Sequence, residues 1–264
     1  MDWLTRMIEH WASYFSDVNN KLASIFLDIH LRNVAPDSAR PWLLWVWIYF
    51  KRPRHDGLSS SEEFATLCAI EDKLNLTLMK DGHTVLGGRI TTDGRREFYY
   101  YASSADAFEA ALKGAMNSFP DYEFDFGTQH DPQWNQYVNV LFPSDDDLQK
   151  ILNREVLDVM EKEGDQPETP REVMHWAYFP SEKNRTDFEG AVRANEYRLD
   201  SENHHPESEN PFGVCFAKIQ SCTGEAIDNA VMALLKLAKQ HHGDYDGWEA
   251  QVITSKTPAT IKPN

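Results

Sequence analysis

The sequence has few cysteines and no long run of hydrophobic residues. Its three cysteines, Cys68, Cys215 and Cys222, are an odd number in a chain of 264 residues, which argues against a disulfide framework and favours a reducing compartment. The longest apolar run, residues 42–50, is far shorter than the roughly 18 residues that a membrane helix needs. The first residues lack a charged segment followed by an apolar one, so we expect no signal peptide. These absences predict a cytoplasmic protein without a membrane partner.

Motifs that identify common enzyme classes are also missing. The chain has no phosphate-binding P-loop and no Gly-x-Ser-x-Gly nucleophile motif. The adjacent pairs His204-His205 and His241-His242 lack the Cys/His spacing of a zinc site. Carboxylates are too numerous for one pair to stand out as a catalytic acid and base. We therefore predict no catalytic residue, no metal and no cofactor, and we expect that the protein is not an enzyme.

Basic residues are outnumbered throughout the chain. The 26 Lys and Arg residues face 42 Asp and Glu residues, which gives a net charge of −16. Residues 144–252 alone hold 23 acidic and 11 basic residues, so the acidity is concentrated in the C-terminal half. Such a surface repels nucleic-acid phosphates and favours basic protein partners, although solubility alone would also explain it. We expect a protein partner and no direct contact with nucleic acid.

The N-terminal half has the pattern of an α+β domain. Residues 11–31 predict a β-hairpin, and residues 43–50, apolar on both faces, predict a central strand. Ser59 or Ser60 is the predicted cap of a helix whose apolar stripe includes Phe64 and Cys68. Further on, the pattern predicts a strand pair joined by a type I′ turn at Asp93-Gly94, a helix over residues 105–117 and a strand over residues 121–126. Residues 43–126 thus have the β-α-β-β-α-β order of a ferredoxin-like sandwich, with helices on one face of an antiparallel sheet.

The C-terminal half repeats this order after one additional helix. Residues 143–147 combine proline, serine and aspartates and form the best domain boundary. The predicted helix over residues 148–163 is followed by a second β-α-β-β-α-β series. We therefore predict an N-terminal domain over residues 1–142, a second ferredoxin-like domain over residues 143–254, and a flexible tail over residues 255–264.

Two features of the C-terminal half are candidate binding sites. The string Gly243-Asp244-Tyr245-Asp246-Gly247-Trp248 follows the last helix, and we interpret it as the turn that leads into a final strand over residues 248–253. Asp244, Tyr245 and Asp246 could instead form a contact patch, in which carboxylates bind Arg or Lys of a partner. His175 lies within a predicted strand and is either a hydrogen-bonded structural residue, a catalytic group or a pH-sensitive contact.

The same strings carry a resemblance to known families. Residues 147–253 resemble the regulator of ribonuclease E activity B family through the strand around His175, over residues 170–179, and through residues 243–249. Residues 9–142 resemble a bacterial domain family of unknown function that is commonly fused to this regulator domain. The resemblance implies a ferredoxin-like fold and a protein that binds and inhibits an RNA-degrading endonuclease without cutting RNA itself.

Our leading hypothesis is a non-catalytic regulator whose partner is a ribonuclease or another degradosome component. Its predicted partner-binding residues are Asp244, Tyr245, Asp246 and His175. The alternative hypothesis is an enzyme or a small-molecule sensor with its site in the N-terminal domain or in a cleft between the domains. The aromatic strand of residues 42–50 and the run Tyr99-Tyr100-Tyr101 would line that site.

Overall fold

Two antiparallel sheets organise the chain, which divides into two compact units between Asp147 and Leu148. The computed structural model describes residues 9–255. The elements of the first unit are β1 (Trp11–Val18), β2 (Lys21–Asp28), β3 (Trp42–Tyr49), α1 (Ser61–Leu78), β4 (Thr84–Thr92), β5 (Arg95–Ala102), α2 (Phe108–Met116) and β6 (Phe124–His130). Those that follow are α3 (Asp145–Lys162), β7 (Arg171–Phe179), α4 (Glu182–Ala194), β8 (Arg198–His204), β9 (Phe212–Gln220), α5 (Gly224–Gln240) and β10 (Asp244–Ala250).

The first sheet has six strands in the order β1-β2-β4-β5-β3-β6. Its last four strands have the spatial order of a ferredoxin-like sheet, and the β1–β2 hairpin pairs with β4 to extend it. The hairpin turns at Asn19 and Asn20, which both have a positive φ, as a type I′ turn requires. The predicted turn at Asp93-Gly94 has the same two positive φ angles. In each hairpin, the two turn residues are of types that tolerate left-handed backbone angles, which explains why the chain turns there.

The two faces of the first sheet are covered differently. On one face, α1 and α2 pack against a core that includes Val46, Phe98 and Tyr100. On the other face, residues 131–142 cross the sheet and bury Trp134 and Tyr137 against it. The Tyr101 and Trp134 rings stack with centroids 4.0 Å apart, and the Tyr101 hydroxyl donates to Asp131 at 2.8 Å. This second cover is an aromatic strap rather than a long helix.

The second sheet has the order β10-β7-β9-β8, which is again the ferredoxin-like order. Helices α4 and α5 pack on one face, over a core that includes Ala177 and Phe216 of the sheet and Phe188 of α4. Helix α3 joins them near Val173 through Leu157 and Met160. The buried Asn153 fixes this extra helix, because its amide donates to Asp228 at 2.8 Å and its oxygen accepts from the Trp248 indole at 3.0 Å. The opposite face carries none of this unit's helices.

The predicted fold class is confirmed: both units are α+β, with antiparallel sheets and the β-α-β-β-α-β order. The outermost bounds of several elements differ from the sequence pattern. Strand β2 ends at Asp28, three residues earlier than expected, because the Asp28 carboxylate accepts from the backbone N–H groups of His10 and His30 and starts a short 3-10 helix. The predicted tail over residues 255–264 lies, apart from Ser255, outside the described residues.

The stripe predicted for helix α1 is partly wrong. Phe64 is 55% exposed, and Cys68 is only half-buried. Glu63 is buried instead, because its carboxylate accepts from the backbone N–H groups of Lys51 and Arg52 and from the Tyr122 hydroxyl. A charged residue thus occupies a core position by satisfying the backbone that follows β3.

The glycine-rich string is mostly strand rather than turn. The turn after α5 consists of His241, His242 and Gly243, and β10 begins at Asp244, four residues earlier than predicted. Gly243 lies so close to β7 that an added Cβ would be 2.2 Å from the Phe179 ring. The register of β10 on β7 shifts between Tyr245 and Gly247, which makes Asp246 the extra residue of a β-bulge.

Candidate functional site

The helix-free side of the second sheet, here called the open face, is the most distinctive surface of this unit. Its centre is a row of partly exposed side chains on β7, Met174, Trp176 and Tyr178. On the neighbouring strand β9, Ile219 is 62% exposed and lies opposite Glu172. Antiparallel sheets commonly leave one face in water, but that face is then usually polar. Large apolar side chains on a solvated sheet face are typical of a contact surface.

Small residues on β9 set the shape of this row. Gly213 lies opposite Tyr178, and an added Cβ there would be 2.8 Å from the Tyr178 ring and 2.0 Å from the Asn203 amide oxygen. Cys215 lies opposite Trp176 and is only 3% exposed. The aromatic side chains of β7 therefore lie next to small residues on β9 and remain partly exposed.

Carboxylates border the open face. The register places Glu249 opposite Met174 and Asp244 opposite Tyr178 on β10, and Asp200 lies at the irregularity of β8. Burial raises the pKa of the Cys215 thiol, and the nearby carboxylates of Asp200 and Glu249 raise it further. The face thus has an apolar centre and an acidic border.

One cation belongs to this border. The Arg198 guanidinium donates to Glu172 at 2.8 Å and to Asp200 at 3.0 Å. These two hydrogen bonds raise the pKa of Arg198 above its usual value. Asp244 has a neutral neighbour, since it accepts from the Asn210 amide at 2.6 Å. Among residues 9–255, four carboxylates against one guanidinium give this border a net negative charge.

The residues predicted from the sequence divide between the two sides of the sheet. Asp244 and Asp246 are exposed at the edge strand β10. His175 is fully buried on the helix side, and its Nδ1 lies 2.9 Å from the hydroxyl of the half-buried Tyr245. The four residues therefore do not form one surface patch, and the His175 side chain is not exposed to a partner.

The environment of His175 is apolar and aromatic. Its ring centroid lies 5.6 Å from those of Phe216 and Tyr197. Burial lowers the pKa of His175 to about 4, so the imidazole is neutral near pH 7. Burial also raises the pKa of the Tyr245 phenol, which stays protonated. Together they form a neutral hydrogen bond that holds β10 to β7.

Sequence reasoning missed Met174, Trp176 and Tyr178 as surface residues. Their alternation along β7 was visible, because they share a face opposite His175. The pattern alone did not say which face the helices cover. No sequence motif marked Glu249 and Glu172 as site residues, since the chain contains 42 acidic residues.

The aromatic residues expected to line the alternative site in the N-terminal half are also divided between the two faces of their sheet. Tyr99 and Tyr101 share one sheet face, whereas Tyr100 faces α1 and donates to Asn75 at 2.8 Å. Trp45 and Trp47 pack against each other with ring centroids 4.8 Å apart. Of these aromatic residues, Trp47 and Tyr99 line a pocket within the first unit.

Residues 9–255 also lack two other structural features. No group of three or more His, Cys, Asp or Glu side chains is placed there to hold a metal ion. Among the helices of the same part of the chain, none has the length and apolar character needed to cross a membrane.

Comparison with known proteins identifies the two halves separately. The family model described as Family of unknown function (DUF695) matches residues 9–142. The chain belongs to the DUF695 family. In this DUF695 protein, residues 150–250 also match the family model described as Regulator of ribonuclease activity B. The second match relates the unit that carries the open face to a family of regulators.

None of the curated proteins matches the chain. Among solved structures, the DUF695 protein is similar to a crystal structure of an unknown protein from Galdieria sulphuraria. The similarity covers 81% of this chain and 99% of that one, with 10% sequence identity and a TM-score of 0.21.

Proposed function

We propose that the chain is a non-catalytic regulator that binds an RNA-processing enzyme such as ribonuclease E and lowers its activity by protein–protein contact. The match of residues 150–250 to the Regulator of ribonuclease activity B family carries this proposal. The contact surface in this proposal is the open face of the second sheet, with Asp244 on its border. Tyr245 and His175 support that surface from below and do not touch the partner.

The chemistry of the open face fits a basic partner. Trp176 and Tyr178 offer ring surfaces on which a partner's arginine side chains stack. Asp244 and Glu249 lie on the adjacent strand, where their carboxylates would bind the same guanidinium groups. The acidic border also repels RNA, so the contact is made with the enzyme rather than with its substrate. Binding across a basic region of the enzyme would block RNA from reaching that region.

The direct test measures inhibition with purified components. The full chain is titrated into ribonuclease E from the same organism while cleavage of a fluorogenic RNA is followed, and binding is measured separately by calorimetry. We expect the cleavage rate to fall as the chain saturates the enzyme. Trp176→Ala should weaken binding by roughly thirtyfold, because a central aromatic anchor is worth about 2 kcal/mol.

A charge variant and its control test the border. The double variant Asp244→Asn with Glu249→Gln should weaken binding several-fold, and this loss should shrink as salt is added because exposed charges are screened. Glu161→Gln removes one exposed charge from helix α3 and should leave binding unchanged. An unchanged cleavage rate at saturating chain, or equal binding by the open-face variants and the control, would show that the proposal is wrong.

A further inference from the structure

The first unit contains a pocket that the proposed function does not use. The pocket lies on the sheet face opposite α1 and α2, between the end of the β1–β2 hairpin and the strap of residues 131–142, and has a volume of about 260 Å³. Its charged and aromatic lining residues are Lys21, Trp47, Asp93, Arg95, Glu97 and Tyr99, and the rest of the lining is equally divided between apolar side chains and the polar residues Asn19, Thr92 and Gln136. Its size suits a molecule of around ten non-hydrogen atoms, smaller than most drug-sized ligands.

Glu97 is a buried carboxylate in this pocket. The residue is only 5% exposed, and its two oxygens accept from the Arg95 Nε at 2.6 Å and from the Tyr99 hydroxyl at 2.5 Å. Burial and the neighbouring Glu97 charge raise the pKa of Tyr99, which keeps the phenol as a donor. A carboxylate can accept about four hydrogen bonds, so Glu97 retains acceptor capacity for a ligand.

The cationic groups of the pocket are only partly paired, because the Arg95 Nε donates to Glu97 whereas the contacts of Arg95 and Lys21 with Asp93 are long. The Arg95 guanidinium lies over the Trp47 ring, 4.5 Å from its centroid, and its Nη1 is 3.9 Å from Asp93. The Lys21 ammonium is 3.5 Å from Asp93. Both distances to Asp93 are too long for strong hydrogen bonds, so these cations have donor capacity that an anionic group could use.

A buried donor in the same pocket is poorly satisfied. The indole N–H of Trp47 is shielded from solvent, and although it interacts with the Tyr99 hydroxyl, the two groups make no hydrogen bond of normal geometry. The Tyr99 hydroxyl itself donates to Glu97. A poorly satisfied donor in a pocket wall can bond to an acceptor of a ligand or of solvent.

The pocket contains two positive and two negative side chains, and this balance disfavours ligands of a single charge. A simple anion would meet the carboxylates of Asp93 and Glu97, and a simple cation would meet Lys21 and Arg95. We propose that this pocket binds a small zwitterion of the α-amino-acid type. Its carboxylate would face Lys21, Arg95 and the Trp47 N–H, and its ammonium group would face Glu97 and Asp93.

The test uses the full chain and the standard amino acids, each added singly at millimolar concentration. We expect at least one of them to raise the melting temperature and to bind in calorimetry, because a ligand of the folded state stabilises it. The methyl ester and the N-acetyl form of that amino acid each lose one charge and should bind at least tenfold more weakly.

Two variants locate the binding in the pocket. Glu97→Gln removes the buried charge, and Trp47→Phe keeps an aromatic ring but removes the N–H donor; each should weaken binding roughly tenfold or more. Glu109→Gln, an exposed position on α2, is the matched control and should bind normally. If Glu97→Gln does not fold, Trp47→Phe and the two derivatives decide.

The outcomes are independent of ribonuclease, because only this chain and the amino acid are present. Absence of any binder among the amino acids would overturn the proposal. So would binding that both pocket variants retain, since the ligand would then lie elsewhere. Equal binding of the ester or the acetylated form would show that the pocket does not recognise a zwitterion.

Discussion

His175 is a histidine that the fold keeps uncharged. Its ring is fully buried, accepts or donates one hydrogen bond at Tyr245, and has no partner for Nε2 among the described residues. The unfolded chain takes up a proton at this histidine near pH 6.5, whereas the folded chain does so only near pH 4. Protonation therefore favours the unfolded state throughout that interval.

This difference predicts a loss of stability in mild acid. Above pH 6.5 both states are neutral at His175, and between pH 6.5 and pH 4 the free energy of unfolding should fall by up to about 3 kcal/mol. His175→Gln keeps a group that can bond to Tyr245 but cannot titrate, so its stability should fall less over the same interval. Urea unfolding at several pH values measures both proteins. Parallel curves for the two would exclude His175 as the source.

At the scale of elements, β10 shows why a glycine string need not be a turn. Gly243 ends the connection from α5 at a point where β7 passes closely. The bulge at Asp246 then allows both Tyr245 and Trp248, three residues apart, to face the helix side. An unbroken strand would have placed these two side chains on opposite faces. Gly247 has a φ of 142°, which suits glycine at such a bulge.

Gly243→Ala should therefore be strongly destabilising. The new methyl group would lie 2.2 Å from the Phe179 ring and 2.7 Å from the Tyr178 carbonyl oxygen, and relief requires β10 to move away from β7. We expect a loss of about 2 kcal/mol in the free energy of unfolding. Gly190→Ala is the matched control, because no atom would lie near the new Cβ and α4 gains a better helix former. Equal stability of the two variants in thermal unfolding would contradict this account.

Local signals explain how much of the fold was predictable. Ser181 and Thr223 cap α4 and α5 by accepting from backbone N–H groups three residues ahead, and Asp93-Gly94 closes the expected hairpin. The start of β10 was not predictable, because its strand conformation depends on pairing with β7, which is distant in sequence. The bulge in β10 likewise limits how much of the candidate site could be predicted from the sequence. Counted back from the half-buried Trp248, strict alternation would place Asp244 on the helix side and Tyr245 on the open face. The extra residue at Asp246 reverses these two positions, so alternation alone could not assign Tyr245 to the core and Asp244 to the border.

At the scale of the whole molecule, each unit has its own hydrophobic core. The clusters around Val46 and Tyr101 contain only residues of the first unit, and those around Phe216 and Val231 contain only residues of the second. Independent cores are the usual property of separable domains. We propose that the boundary lies just before residue 143, where Pro143 precedes the first turn of α3.

Two fragments test this boundary. Residues 1–142 and residues 143–264, produced separately, should each unfold cooperatively when heated and followed by circular dichroism, since each keeps its sheet and helices intact. A cut within α3, after residue 152, serves as the control and should destabilise the C-terminal fragment, because it removes the start of the helix on which Asn153 lies. A C-terminal fragment from residue 143 that melts without a cooperative transition would contradict the boundary.

The bulge in β10 has a further consequence for the behaviour of the chain at high concentration. β10 is an outer strand of its sheet, and its free backbone groups could pair with the same strand of a second molecule. The extra residue at Asp246 interrupts the regular spacing of those groups, and the exposed carboxylates of Asp244 and Asp246 bring like charges together when two copies approach. We therefore expect the string that is most conspicuous in the sequence to hinder edge-to-edge pairing of this sheet as well.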